Sequence, residues 1–205
     1  DAAMQSDAGS SAISAPAPLV GRNAELQHLL ERWGLAKQGR GQAVLVSGEG
    51  GIGKSRLLAA FRERADVQTG AWRNIFCSPF YQNSALQPMI NLIERAIQRS
   101  TGGAGTDRAD SLRRIMDDSK LADETTFALV ASLLGLGDEH ERALRDLEPD
   151  QRKRRTLDTL VAWLHADSQR HPLVVVVEDL HWIDASTRDL LGMLLERIVN
   201  FPIFA

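Results

Sequence analysis

Residues 43–65 contain the stretch that decides the fold, Gly48-Glu49-Gly50-Gly51-Ile52-Gly53-Lys54-Ser55, which fits the pattern G-x-x-x-x-G-K-[ST]. The apolar run Ala43-Val44-Leu45-Val46-Ser47 precedes it and predicts a buried strand, while Lys54–Ala65 has the spacing of an amphipathic helix. Glycines let successive backbone N–H groups turn inward around an anion, and the following helix adds its positive N-terminal end. The order of strand, glycine-rich loop and helix therefore predicts a phosphate-binding loop.

Within this loop, two side chains have predicted chemical roles. Lys54 is expected to reach the β- and γ-phosphates of a nucleotide, and the Ser55 hydroxyl is expected to ligate Mg²⁺. The residues predicted to contact the nucleotide from this segment are Gly48, Glu49, Gly50, Gly51, Ile52, Gly53, Lys54, Ser55 and Arg56.

An acidic pair supplies the second part of the predicted site. Glu178 and Asp179 follow the unbroken apolar run Leu173–Val177, which is typical of a strand buried on both faces. A carboxylate at the C-terminal end of a parallel strand lies on the ligand-binding edge of the sheet. We assign Glu178 to Mg²⁺, mostly through water, and Asp179 to polarising the attacking water, with the reverse assignment left open. Together with Lys54, these two acids are the predicted catalytic residues, and the predicted metal ligands are Ser55 and Glu178.

The remaining patterns predict an α/β fold. Trp72–Cys77 reads as a second strand, and residues 84–168 read as almost entirely helical. Ser186–Val199 predicts a helix with Ser186 as its N-cap, and Phe201–Ala205 begins another strand. Alternating strands and helices indicate a parallel sheet with helices on both faces.

The position of the acids narrows the class of nucleotide-binding protein. The strand directly after the loop helix carries no acid, which argues against a small-molecule kinase, and neither an Asn-Lys-x-Asp nor a Leu-Ser-Gly-Gly-Gln segment is present. These absences argue against a GTPase and a transporter-type ATPase. What is left is an ATPase whose sheet has an additional strand between the loop strand and the acid strand.

Three further segments resemble the AAA+ and STAND ATPases, in the branch linked to bacterial adenylate/guanylate cyclases and large transcription regulators. They are Leu19-Val20-Gly21-Arg22, Cys77–Pro88 and the signature Glu178-Asp179-Leu180-His181-Trp182-Ile183-Asp184. The resemblance covers Leu19–Ala205 and implies a three-layer αβα P-loop sandwich that binds ATP or ADP with Mg²⁺. It also implies that Val20, Gly21 and Arg22 lie against the adenine, and that the chain stops before the family's sensor strand and lid. His181 and Trp182 either orient the acids or pack the turn.

Composition and charge limit the partners and the cellular compartment that we expect for the protein. The 205 residues carry a net charge of −3 and one cysteine, Cys77, which argues against a whole-surface nucleic-acid binder and a disulfide framework. Residues 1–18 read as a linker or tail, residues 19–205 as a partial ATPase domain, and residues 84–150 as a helical insertion. A cytoplasmic protein is expected, with no membrane and no direct nucleic-acid contact. Its expected partners are nucleotide, further domains of a longer chain and a second copy through an open sheet edge.

The function expected from these features is ATP·Mg²⁺ binding with slow hydrolysis, used as a regulatory switch in a multidomain signalling protein, with this segment alone near inactive. A nucleotide-held scaffold or oligomerisation module without significant hydrolysis is the first alternative. The second is the ATPase part of a helix-turn-helix transcription regulator.

Overall fold

The computed structural model describes residues 21–67, 71–100, 107–121, 123–137 and 140–205. The helices and strands in chain order are α1 (Asn23–Lys37), α2 (Lys54–Arg64), β1 (Trp72–Phe76), α3 (Gln87–Ser100), α4 (Arg108–Asp118), α5 (Glu124–Leu133), α6 (Pro149–Arg170), β2 (Leu173–Glu178), α7 (Ala185–Arg197) and β3 (Ile203–Phe204). Short 3-10 turns lie at Pro79–Tyr81, His140–Leu144, Leu180–Trp182 and Ile198–Asn200. The predicted tail at 1–18 and Val20 lie outside the described residues.

The three strands form a parallel sheet in the order β1-β2-β3. β1 pairs with β2 from Trp72↔Val174 to Phe76↔Glu178, and β3 pairs with the start of β2. The segment before the phosphate loop lies on the far side of β3, where a parallel bridge joins Gln42 to Phe204. β3 therefore lies between the acid strand and the loop segment, as the additional-strand class predicts, and all the C-terminal strand ends face one edge.

Successive valines of β2 point to opposite faces of the sheet, so both faces are apolar. Helices cover each of them. Val174 and Phe204 pack against Leu26, Trp33 and Phe61, which belong to α1 and α2. On the other face, Val175 joins a larger cluster contributed by α3 through α7, which includes the buried side chains of Met89, Leu112, Phe127, Leu160 and Leu194. The predicted parallel sheet with helices on two sides is confirmed.

The predicted strand at Ala43–Ser47 is wrong as a regular strand. Its backbone bonds to β3 only at its start, where Val44 N–H donates to the Ala205 carbonyl at 2.9 Å and Ala205 N–H donates to Gln42 at 2.9 Å. Beyond Val44 no described residue continues the ladder, and the Leu45 side chain is 76% exposed. The apolar pattern indicated a strand buried by neighbours, whereas the described structure gives it one short neighbour.

The predicted N-cap of the last long helix is also wrong. α7 begins at Ala185, and Asp184 rather than Ser186 is the N-cap, because its carboxylate accepts hydrogen bonds from the N–H groups of Ser186 and Thr187. The helix is otherwise as predicted, as are α2, β1 and β2 to within two residues. In the part of the chain that the structure describes, no helix is long and apolar enough to cross a bilayer.

Candidate nucleotide site

The glycine-rich loop turns directly into α2. Gly51 and Gly53 have φ values of +79° and +94°, in the left-handed region that a side chain disfavours, and Gly53 is the N-cap of the helix. No side chain caps this helix start, so its first N–H groups face the loop. The partial positive charge at this end of the helix makes the loop suited to an anion.

Lys54 is the first residue of α2, and its side chain folds back over the loop. The Nζ atom donates to the carbonyl oxygens of Gly48 and Glu49 at 2.8 and 2.9 Å. The ammonium is therefore held over the loop. Both carbonyls belong to exposed residues, so the ammonium can exchange them for phosphate oxygens at little cost.

The acid pair lies where β2 ends. Glu178 is the last residue of the strand and is half-buried, and burial followed by the neighbouring Asp179 charge raises the pKa of its carboxyl. Asp179 is exposed and has a φ of +57°, an unusual backbone conformation for a residue other than glycine. The chain turns sharply here, so the two carboxylates have different environments.

A cavity of about 170 Å³ brings the last two residues of the loop motif and the acid pair together, while none of residues 48–53 lines it. Lys54 and Ser55 line one side, and Glu178 and Asp179 line the other. The hydroxyl and carboxylate oxygens are donors that Mg²⁺ prefers, and Mg²⁺ is typically bound by one or two protein groups plus water and substrate phosphates. The residues present therefore fit this ion, even though no cluster of three or more His, Cys, Asp or Glu occurs in the described residues.

A second cavity, of about 490 Å³, lies beside the first on the other side of the loop segment. Arg22, at the start of α1, faces Ser47 and Leu57 across it. Arg22 also pairs with Glu25 at 3.7 Å. Because Ser47 precedes the phosphate loop, this cavity is adjacent to the place where a nucleotide bound to the loop would extend. Gly21 is exposed with a φ of +79°, while Arg56 lines neither cavity.

The rings that follow the acids do not line the first cavity. His181 is exposed and Trp182 is half-buried, and their ring centroids lie 4.9 Å apart. The contact that the structure provides is between these two rings. This arrangement favours the packed-turn interpretation over a role in orienting the acids.

Asp184, the last residue of the acidic signature, has a structural role that the sequence analysis did not assign to it. It is 3% exposed, and besides capping α7 its Oδ1 accepts from the Leu86 N–H at 3.1 Å. Leu86 ends the segment that follows β1, so one carboxylate ties the connections after β1 and β2 together. The signal in the sequence was the run Asp184-Ala185-Ser186-Thr187 before an apolar helix, which is an N-cap pattern.

Comparison with known proteins agrees with this geometry. The family model described as "AAA ATPase domain" matches residues 18–200. This chain belongs to the AAA ATPase domain family. An uncharacterized protein of Rhizobium meliloti (strain 1021) is 32% identical over 186 residues, which are 91% of this chain. The chain spans only 18% of the length of that relative. No solved structure matches the chain.

Membership in the family gives the two cavities their chemical context. AAA ATPase domains are nucleotide-binding modules that generally take ATP with Mg²⁺. In this AAA ATPase domain Lys54, Ser55 and both acids line one cavity, and Arg22 lines the neighbouring one.

Proposed function

We propose that this AAA ATPase domain binds ATP·Mg²⁺ between its phosphate loop and the end of β2, and hydrolyses it slowly as a regulatory switch. The observation that carries the proposal is the single cavity lined by Lys54, Ser55, Glu178 and Asp179. In this proposal the sheet and its two helical layers are part of a three-layer αβα P-loop sandwich, with α3, α4 and α5 as a helical insertion.

Binding of the phosphates rests on Lys54 and the loop. The Lys54 ammonium exchanges its two carbonyl contacts for oxygens of the β- and γ-phosphates, while the loop and α2 N–H groups donate to the remaining oxygens. Ser55 and Glu178 would hold Mg²⁺, which supplies neutralisation of the phosphate charge when bound. Arg22 and the residues before it would lie against the adenine in the second cavity.

Hydrolysis needs a base beside the γ-phosphate. Asp179 accepts a proton from a water molecule whose oxygen attacks the γ-phosphorus, and the bond from that phosphorus to the bridging oxygen breaks, releasing ADP and phosphate. Asp179 suits this role because it is exposed to water at the cavity. The raised pKa of Glu178 makes it a stronger base than an ordinary glutamate, so the reverse assignment is tested beside this one.

Two variants divide these roles. Asp179→Asn should retain ATP·Mg²⁺ binding and lose phosphate release, whereas Glu178→Gln should weaken the Mg²⁺-dependent part of binding. The measurements are calorimetric titration with and without Mg²⁺, and release of γ-phosphate with protein in excess over ATP, followed for hours. If Asp179→Asn releases phosphate at the parent rate and Glu178→Gln does not, the two roles are exchanged.

The same assay, applied to a longer chain that includes the sensor strand and lid expected from the resemblance, separates the proposal from a scaffold that holds nucleotide without turnover. A scaffold predicts tight ATP binding with phosphate release at the rate of the protein-free control, in both the parent and the Asp179→Asn variant. Slow release that depends on Asp179 supports the switch. We also propose a role within a multidomain signalling protein, linked to a cyclase or to a helix-turn-helix regulator. The length of the relative supports this, since the relative is more than five times as long as the stretch that matches this chain.

A further inference from the structure

A third cavity, an open groove of about 460 Å³, follows the outer side of β1, away from the two cavities described above. Its charged lining consists of Arg62 from α2 and of Arg95 and Arg99 from α3, and the rings of Trp72 and Phe76 contribute apolar surface. Among the described residues no carboxylate lines it. The groove therefore combines three positive charges with no negative charge of its own.

The floor of this groove is the open edge of the described sheet, since β1 is its terminal strand. Val174 N–H donates to the Ala71 carbonyl and Cys77 N–H donates to the Glu178 carbonyl, which sets the alternation of the parallel ladder. The backbone N–H groups of Trp72, Asn74 and Phe76 consequently point away from β2 and have no partner among the described residues. An edge of this kind is a template for a further strand.

The arginines are distributed along the strand and do not converge on one point. The guanidinium of Arg62 lies 5.3 Å from the centre of the Trp72 ring, and that of Arg95 lies 5.7 Å from the centre of the Phe76 ring. Residues 72 and 76 are roughly 13 Å apart along an extended strand. A single phosphate or carboxylate group cannot contact both positions.

The charge of this groove is also locally unbalanced. Burial lowers the pKa of Arg99, and the neighbouring guanidinium groups of Arg73 and Arg95 lower it further against the one opposing carboxylate, Asp167. Asp167 is already paired with Arg73 on the other face of β1. Arg95 lies along the open edge, where it donates to the outward-pointing Asn74 carbonyl at 2.6 Å, and an added strand displaces it from that oxygen. Arg62 and Arg99 are the arginines exposed to an incoming ligand.

We propose that this groove binds an acidic protein segment in extended conformation, which pairs with β1 as a fourth strand of the sheet. Its backbone pairs with the outward N–H groups of Trp72, Asn74 and Phe76. Acidic side chains at alternate positions lie on one face, roughly 6.6 Å apart, and so reach arginines that are spaced along the strand. Neither the ligand nor the groove depends on ATP binding, so this proposal stands apart from the one above.

The probe is an acetylated and amidated eight-residue peptide that alternates valine with glutamate, titrated onto the full chain. The groove variant is Arg62→Gln with Arg99→Gln, and the matched control is Arg154→Gln with Arg155→Gln, two exposed arginines of α6. Binding should weaken at least tenfold in the groove variant and stay within twofold in the control. Peptide binding should also slow amide hydrogen exchange at 72, 74 and 76 at least tenfold, with little change at 73 and 75.

Four outcomes would overturn the proposal. The peptide could fail to bind, or could bind equally to the groove variant, in which case the arginines are ordinary surface charges. It could bind without protecting the amides of 72, 74 and 76, in which case no strand is added. Tripolyphosphate could compete with the peptide at equal concentration, which would make the groove a site for compact anions.

Discussion

Cys77 illustrates how the site controls a single residue. The thiol is 4% exposed, and burial, followed by the charges of Asp184 and Asp179, raises its pKa to about 11. The side chain therefore packs as a small apolar group. A thiol with this pKa is almost entirely protonated at pH 8. Because the thiolate is the reactive form, such a thiol reacts slowly.

We therefore expect Cys77 to resist alkylation in the folded protein. At pH 8, its rate of reaction with iodoacetamide should be at least tenfold below that of the same chain in 6 M guanidinium chloride. The rate is measured by mass spectrometry after timed quenching. A folded chain that reacts as fast as the unfolded one would show that Cys77 is open to solvent.

Glu178 provides a second prediction, from the direction of its pKa shift. Its folded pKa is raised above the ordinary 4.5, so the folded state holds the proton more tightly than the unfolded state. The contribution of Glu178 to the free energy of unfolding is therefore highest at low pH, and declines as pH rises from about 4.5 through the raised pKa. Glu178→Gln removes this decline.

The measurement is thermal unfolding of the parent and Glu178→Gln proteins between pH 4 and pH 8, without nucleotide. The variant should gain in melting temperature relative to the parent as pH rises, and the difference should level off above the raised pKa. A difference that is constant across this range would mean that the Glu178 carboxyl is not perturbed.

At the scale of elements, Asp184 joins two connections that the chain keeps far apart. It caps α7 and accepts from the Leu86 N–H, and Leu86 itself has a φ of +59°. Replacing Asp184 by alanine removes the cap and leaves the buried Leu86 N–H without this acceptor, which together cost about 3 kcal/mol of unfolding free energy. Urea unfolding of Asp184→Ala should show that loss, and Asp184→Asn, which retains an acceptor oxygen, should lose less. Equal losses in both variants would contradict this role.

Two glycines give a matched pair for the contact between the loop segment and the end of α7. A Cβ atom on Gly41 would lie 1.9 Å from the Ile198 carbonyl oxygen, whereas a Cβ on Gly34, within α1, would meet nothing within 4 Å. Gly41→Ala should therefore destabilise the protein by at least about 2 kcal/mol, and Gly34→Ala should stabilise it by about 0.5–1 kcal/mol. Denaturant unfolding of both variants measures the contrast, and a tolerated Gly41→Ala would contradict the packing at Ile198.

These elements also show how far the sequence alone could lead. The loop around Lys54, the strand that ends at Glu178 and the order of the sheet were predictable, because apolar runs and glycine spacing report local structure. Asp184 and Ser186 both fit a local N-cap pattern before α7, and the bond from the distant Leu86 N–H that also holds Asp184 is not reported by any local pattern. The strand predicted at Ala43–Ser47 fails for a similar reason, since a ladder requires a neighbour that no local pattern reports. Pairing across the sheet was likewise needed to reveal the groove beside β1.

For the whole molecule, the exposed loop segment gives a prediction about stability. The segment around Leu45 is apolar and lines the cavities in which ATP·Mg²⁺ is proposed to bind. Bound ligand should stabilise the folded state by about 2.7 kcal/mol at a concentration one hundred times its dissociation constant. It should also reduce self-association through the exposed edge of this loop segment. Thermal melting and light scattering with and without ATP·Mg²⁺ test both effects, and identical traces in the two conditions would contradict them.

The central claim is that the loop holding Lys54 is a nucleotide site. Calorimetric titration of ATP·Mg²⁺ onto the parent protein, Lys54→Ala and the control Lys153→Ala tests it most directly, because the two variants lose the same charge at different places. We predict that Lys54→Ala binds at least tenfold more weakly, about 1.4 kcal/mol or more, and that Lys153→Ala binds as the parent does. Unchanged binding by Lys54→Ala, or equal losses in both variants, would contradict the assignment of the site.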